Sequence, residues 1–253
     1  MKRYNKNTVN SPPLLEAIFE VKWELERRDP QPPVDSNYKI LLGRMFDRVT
    51  GEYPYHISLP SATMPDEISA YVIQHQFRVE KNRWPLIQLG QGVVTLNDTT
   101  QYSWDDFHFR AENLIKTLFK AYPDKGKLKI NSLLLRYING IQFDFSRKDS
   151  MEFLQKIHCN INLDDEFFEI TDALKKLAAF DIKMVYPIQK PVGVIQTRYA
   201  RGALRGRDAI IWETGINSIG NDVPKNDEEI VKWLKDAHDL PHNWFNHIKE
   251  QVM

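Results

Sequence analysis

Between Leu14 and Leu25 the apolar residues Ala17, Phe19, Val21 and Trp23 alternate with the charged Glu16, Glu20, Lys22 and Glu24. A period of two over that length predicts a strand with one wet face. After a Pro-rich turn, Tyr38, Leu41, Leu42, Met45, Phe46 and Val49 recur at helical spacing as far as Gly51, so an amphipathic helix is expected to lie across the sheet of the first strand. Strands are then expected at Tyr53 to Leu59, Ala70 to Glu80, Pro85 to Leu89 and Val93 to Leu96. Gly90-Gln91-Gly92 joins the last two tightly, which makes a meander. Ser103 and Asp106 form an S-x-x-D cap for a second helix with Phe107, Ala111, Leu114, Ile115, Leu118 and Phe119 as its inward stripe. Pro123 ends it, with Lys120 at the favourable carboxyl end.

The longest strand is expected over Ile130 to Phe145, bent near Asn139-Gly140. Ser150 starts a short helix reaching Ile157, Thr171 to Phe180 reads either as a helix or as the turn before a strand, and INLDDEFFE between them reads as a surface connection. Strands follow at Asp181 to Tyr186, Val192 to Tyr199 and Asp208 to Thr214, then a helix over Asp227 to His238 with Ile230, Trp233, Leu234 and Ala237 inward. Pro241 is expected to start a last turn or short helix carrying Trp244, Phe245 and Ile248. Strands come in runs without helices between them, which argues against a parallel β/α/β fold. The expected class is α+β, one compact unit over 1–253 built from two similar halves, 12–126 and 127–253, each a largely antiparallel meander sheet packed by amphipathic helices.

Composition narrows the function classes. Lys plus Arg and Asp plus Glu both number 34, so there is no global attraction for nucleic acid or an anionic membrane, and any polyanion site has to be a local patch. Cys159 is the single cysteine, which excludes an intrachain disulfide and a four-cysteine metal site and suits a reducing cytoplasm. The amino end, MKRYNKNTVNSPP, has basic residues with no apolar stretch behind them, and no apolar run in the chain is long enough to cross a bilayer. A cytoplasmic protein is expected.

Pro12, Pro13, Leu14, Glu16, Phe19 and Glu20 form a PPL-x-E-x-x-F-E element. With Trp84 through Gly92, Leu96-Asn97, Tyr102, Trp104, Phe107, Leu135 to Asn139, Ala237-His238 and Phe245, this element makes the chain resemble an uncharacterised, sporadically distributed bacterial family. The resemblance runs through most of the chain and brings no catalytic residue with it. The scattered occurrence of that family implies a role in a bacterial defence or stress system.

Candidate chemistry is sparse. RYARGALRGRD carries Arg198, Arg201, Arg205 and Arg207 around Gly202 and Gly206, an anion- or nucleic-acid-binding candidate that also reads as a solvated hairpin tip. Lys125, Lys127 and Lys129 form a weaker basic patch. Arg136, among the apolar residues of LLLRYINGIQ, needs an anionic partner and so is either a structural ion pair or a ligand clamp. Asn97, Asp98, Thr99 and Thr100 sit where a strand gives way to a helix, and turn formation explains them. His238, His242 and His247 lack an H-E-x-x-H pattern and are separated by Pro241, so no metal is expected. His158 beside Cys159 makes no nucleophile elbow, and Asp144, Asp149, Asp164, Asp165 and Glu166 lack a pairing that demands acid/base work. No cofactor motif is present, and the chain lacks a Walker pattern.

The leading expectation is a non-enzymatic accessory protein that binds another protein through aromatic residues near Trp233, Trp244 and Phe245 or through exposed parts of the sheet. The alternatives are a nucleic-acid-binding module using the Arg-rich hairpin and a phosphate-processing enzyme using Arg136.

Overall fold

A computed structural model describes residues 14–99 and 102–252, so Pro12, Pro13 and Thr100 lie outside the described residues. In chain order come β1 (Leu14–Trp23), a small hairpin of β2 (Glu26–Arg28) and β3 (Gln31–Val34), α1 (Tyr38–Val49), β4 (Tyr55–Ser58), β5 (Ile73–Arg78), β6 (Leu86–Gly90) and β7 (Val93–Asp98). They are followed by α2 (Trp104–Ala121), β8 (Ile130–Gln142), α3 (Ser150–Lys156), α4 (Asp165–Thr171), β9 (Asp181–Gln189), β10 (Val192–Leu204), β11 (Arg207–Ile219) and α5 (Asp227–Val252). All strands except β2 and β3 form one nine-stranded sheet in the order β4-β5-β6-β7-β1-β8-β11-β10-β9, antiparallel at every step.

Alternation along β1 decides which face is covered. Ala17, Phe19, Val21 and Trp23 are buried against α1, α2 and α5, in a core that also takes Leu41 and Met45 of α1, Leu114 and Leu118 of α2, and Ile230, Trp233 and Leu234 of α5. A second, smaller cluster seats Phe153 and Leu154 of α3 on Tyr199, Ile210 and Trp212 of the same sheet face. The other face presents Glu16, Glu20, Lys22, Arg136, Glu213 and Arg198, which are partly exposed. The ends of α2 follow from its sequence: the Ser103 hydroxyl accepts the Asp106 N–H at 3.4 Å, Asp105 and Asp106 complement the helix dipole, and the chain leaves at Tyr122 just before Pro123.

Asp35 ties four elements together. Its buried carboxylate accepts hydrogen bonds from Trp23 Nε1 at the end of β1 (2.8 Å), from Tyr122 Oη after α2 (3.0 Å) and from the Asn37 N–H before α1 (2.9 Å). Its own N–H donates to Gln91 Oε1 in the β6–β7 turn, and Gln91 Nε2 in turn donates to the Asp66 carbonyl at 2.8 Å. Gly92, at φ 80°, is the turn residue that needs the left-handed region.

Several expectations need correction. The acidic stretch read as a connection contains α4, because Asp164 caps it by accepting the Glu166 N–H and Asp165 and Glu166 fill the first turn; beyond Thr171 the segment up to Phe180 is not helical. Helix α5 does not stop at His238 and restart: it runs through Pro241. The cost of the missing N–H is offset by the burial of Leu234, Ala237 and Pro241 itself. Strand β8 holds register with β11 from Ser132 to Gln142, and the irregularity near Asn139 falls in its pairing with β1, between Leu14 and Glu16. Gly140 is there because a Cβ would lie 2.8 Å from the side chains of both Leu15 and Ile211. Strands β9 to β11 are each longer than expected, and β9, an edge strand, carries Asp181, Lys183 and Pro187.

Asp35→Ala leaves a buried indole N–H and a buried phenol without their acceptor, at about 1–3 kcal/mol each. A fall of ~3 kcal/mol or more in unfolding free energy by urea titration is expected, with a smaller fall for Asp35→Asn, which keeps one acceptor oxygen. A loss below ~1 kcal/mol for Asp35→Ala would show that other contacts hold these elements together.

Candidate functional site

Where β8 and β11 pair, Tyr137 stands opposite Thr214 and Asn139 opposite Trp212, giving a four-residue patch on the covered face of the sheet. Over it runs the carboxyl half of α5. His238, Pro241, His242 and Phe245 are spaced i, i+3, i+4 and i+7, so one continuous helical face makes the roof. Leu14 and Tyr102 flank it, and the half-open cavity has a volume of about 90 Å³. A neighbouring groove of about 450 Å³ shares Thr214 and Trp244 with this cavity; it is floored by Met184, Tyr186, Ile195, Thr197 and Tyr199 and walled by 157–161, including Cys159.

Polar groups in the cavity form a chain. Tyr102 Oη lies 3.0 Å from Tyr137 Oη, which lies 2.8 Å from His238 Nδ1, and Trp104 stacks flat on the His238 ring with centroids 3.6 Å apart at 6°. Burial, and then the neighbouring His242 and His108, push His238 down to about 4. Burial raises the Tyr137 and Tyr102 hydroxyls above their ordinary value. All three are neutral near pH 7, and among the described residues no Asp, Glu, Lys or Arg lines the cavity. Such a site offers hydrogen bonds and ring faces; a histidine this hard to protonate is a poor general base at neutral pH.

No protein-family model matches the chain, and no curated protein is detectably similar to it.

The structure scatters the expected anion-binding residues. Alternation along β10 sends Arg198 to the helix-free face, where it grips Asp181 with two 2.7 Å bonds and Glu213 with one of 3.0 Å. Arg201 points to the other face, held by the Ala178 carbonyl (2.6 Å) and Asp208 (2.9 Å), with its guanidinium 4.3 Å from the Phe145 ring centroid. Arg205 and Gly206 make the hairpin tip with positive φ, and Arg207 reaches Gln142 at 3.5 Å. Lys127 pairs with Glu26 at 2.9 Å, and Lys125 and Lys129 lie with it at the start of β8, some ~40 Å of strand from the Arg hairpin. Arg136 is on the face away from the cavity, with Nη1 3.8 Å from Glu213 and its buried Nε without a hydrogen-bond partner.

Of the expected interface aromatics, Trp233 is a correction: it is 3% exposed, packed in the core, and donates from Nε1 to Ser218 Oγ at 2.8 Å. It falls on the inward face with Ile230 and Leu234. Trp244 is exposed at the edge shared by cavity and groove, and Phe245 is part of the roof. Asn97 and Asp98 belong to β7, where Asn97 donates to Glu16 at 2.7 Å and Asp98 accepts the Thr99 N–H. His238 and His242 share a helix face after all, 5.1 Å apart, because Pro241 does not interrupt it. Among the described residues no cluster of three or more His, Cys, Asp or Glu could hold a metal. The Cys159 thiol is buried, which raises its pKa and keeps it from acting as a ready nucleophile.

Two features escaped sequence reasoning. Tyr102 and Tyr137 meet only because β1 pairs with β8 and α2 follows β7, which no local pattern announces. The second was legible: Leu163, Phe167, Ile170 and Leu174 recur at i, i+4, i+7 and i+11 in the sequence, Phe167 and Ile170 within α4 and the other two in the segments flanking it, and they are 52, 45, 75 and 85% exposed.

The unfolded chain protonates His238 at its ordinary value near 6.5, the folded one only near 4. Its contribution to stability is complete above pH 6.5 and lost as pH falls from there towards 4, on the order of 3 kcal/mol. Wild type should therefore lose more melting temperature between pH 7 and pH 4.5 than His238→Gln; parallel curves for the two proteins would contradict the assignment.

Proposed function

We propose that the chain is a non-enzymatic accessory protein that recognises another protein. The observation that carries this reading is the apolar stripe of Leu163, Phe167, Ile170 and Leu174. Four large apolar side chains, Phe167 and Ile170 on α4 and Leu163 and Leu174 in the segments flanking it, stand out into solvent, an arrangement that costs solubility unless another surface covers it. The stripe begins two residues beyond Ile161, at the wall of the 450 Å³ groove, whose edge adds the exposed Trp244 and Tyr186. Stripe and groove together offer a partner both a flat apolar contact and a recess for an inserted side chain.

Nucleic-acid recognition has less behind it. Arg198 and Arg201 are each engaged by carboxylates on opposite faces, which leaves Arg205 and Arg207 at the hairpin and a distant lysine turn. A phosphate-processing role for Arg136 would have to be played on the helix-free face, away from both recesses. The proposal also takes in the architecture, as two similar halves: in each, a leading strand (β1 or β8) is followed by helix, meander and helix, pairs with the last strand of its own meander, and pairs with its counterpart. A cytoplasmic setting in a bacterial defence or stress system belongs to the same proposal, resting on the single cysteine and the family resemblance. Among the described residues no helix is long and apolar enough to cross a membrane.

The test is native purification under gentle salt after nuclease treatment, with quantitative mass spectrometry of wild type against Ile170→Lys/Leu174→Lys. Both sites are exposed, so the melting curve should move by no more than about 0.5 kcal/mol of stability. One protein recovered in constant ratio with wild type and depleted at least tenfold from the variant is the expected result. Equal recovery on both, or recovery of nucleic acid that is lost with Arg205→Ala/Arg207→Ala, would overturn the reading.

A further inference from the structure

The inner cavity contains a polar group that the fold leaves unused. Asn139 is 6% exposed, yet its carboxamide makes no hydrogen bond to any of the described residues, and it lines the cavity. The carboxamide atoms are not sealed off from solvent, so the bonds they leave unmade face the open space of the cavity. The Thr214 hydroxyl, buried on the neighbouring strand, lines the same space. Tyr102, Tyr137 and His238 Nδ1 are linked to one another beside it, whereas Asn139 and Thr214 present capacity to an occupant.

The shape and chemistry of the walls narrow the class of that occupant. Trp212, Phe245, Pro241 and Leu14 are apolar, and two of them are flat rings. Among the described residues no Asp, Glu, Lys or Arg lines the cavity, so an ionic group entering here would give up hydration for two histidines and neutral groups alone. A carboxamide has an acceptor and a donor side by side, and the group that matches both is another amide-like edge, the geometry by which asparagine pairs with a base edge. The volume of about 90 Å³ is several times the roughly 10–15 Å³ that a single water needs, enough for the leading part of a single ring. The adjoining groove, reached past Thr214 and Trp244, has room for the remainder of a larger molecule.

We infer that the cavity is a binding site for a neutral planar molecule bearing a lactam or carboxamide edge, which pairs with Asn139, takes a further hydrogen bond from Thr214, and lies between Trp212 and Phe245. This site is separate from the α4 stripe and stands whether or not a protein docks there.

The full chain is titrated with 2-pyridone, a neutral lactam, and with benzoate, a charged ring of similar size, following tryptophan fluorescence and protein NMR shifts. Saturable 2-pyridone binding in the millimolar range, at least tenfold tighter than benzoate, is expected. Asn139→Leu should weaken it tenfold or more, and Thr214→Val several-fold; the second variant carries the test if the first does not fold. Absence of saturable 2-pyridone binding to wild type, equal binding of benzoate, or undiminished binding by the folded variants would each overturn the inference.

Discussion

The antiparallel pairing of β1 with β8 is the join on which the rest of the molecule depends. These strands are more than a hundred residues apart, yet Ala17 faces Tyr137 and Phe19 faces Leu135 without a break between them. The pairing fuses the block β4-β5-β6-β7-β1 to the block β8-β11-β10-β9, and a sheet left open there would expose a long unpaired edge in its most apolar region. Helix α5 makes the join three-dimensional. Its 26 residues span ~39 Å, packing its early turns on the large core beside α2 and its later turns over β8 and β11. Tyr137 belongs both to the seam and to the cavity wall, so the geometry of the recess is inherited from that of the join.

Asp35 serves the first block as the seam serves the whole. One carboxylate fixes the end of β1, the start of α1 and the exit from α2, and Gln91 links that knot to the β6–β7 turn. Each donor in the set is a ring or backbone group that could not be buried without an acceptor. The polar knot therefore specifies how the helices sit on the sheet, where apolar packing alone would allow them to slide.

How much of this was legible in the chain depends on whether a feature is local. The burial of Phe19 and Trp23, the Ser103 cap and the stripe of α2 follow from patterns contained within a few turns or one strand, and the structure has them in those places. Asp164 to Glu166 were misread because an acidic run is equally the signature of a loop and of a helix start, and only the bond from the Glu166 N–H to Asp164 separates the two. Pro241 was misread for the opposite reason: a local breaker was overridden by the packing of Leu234, Ala237 and the proline itself. That error hid the candidate site, since a helix stopped at His238 cannot place Phe245 above Trp212. Asn139 looked like a bend residue in the chain, and its unpaired carboxamide emerges only from the fold.

The edges of the sheet have a consequence of their own. At one end β4 is four residues long, and at the other β9 is charged at Asp181 and Lys183 and contains Pro187, which has no N–H to offer a neighbour. A foreign strand laid along either border finds the ladder too short or interrupted. The molecule can thus keep a broad, half-open sheet in a crowded solution without seeding its own polymerisation, and whatever joins it is selected by side chains rather than by an invitation to extend the sheet.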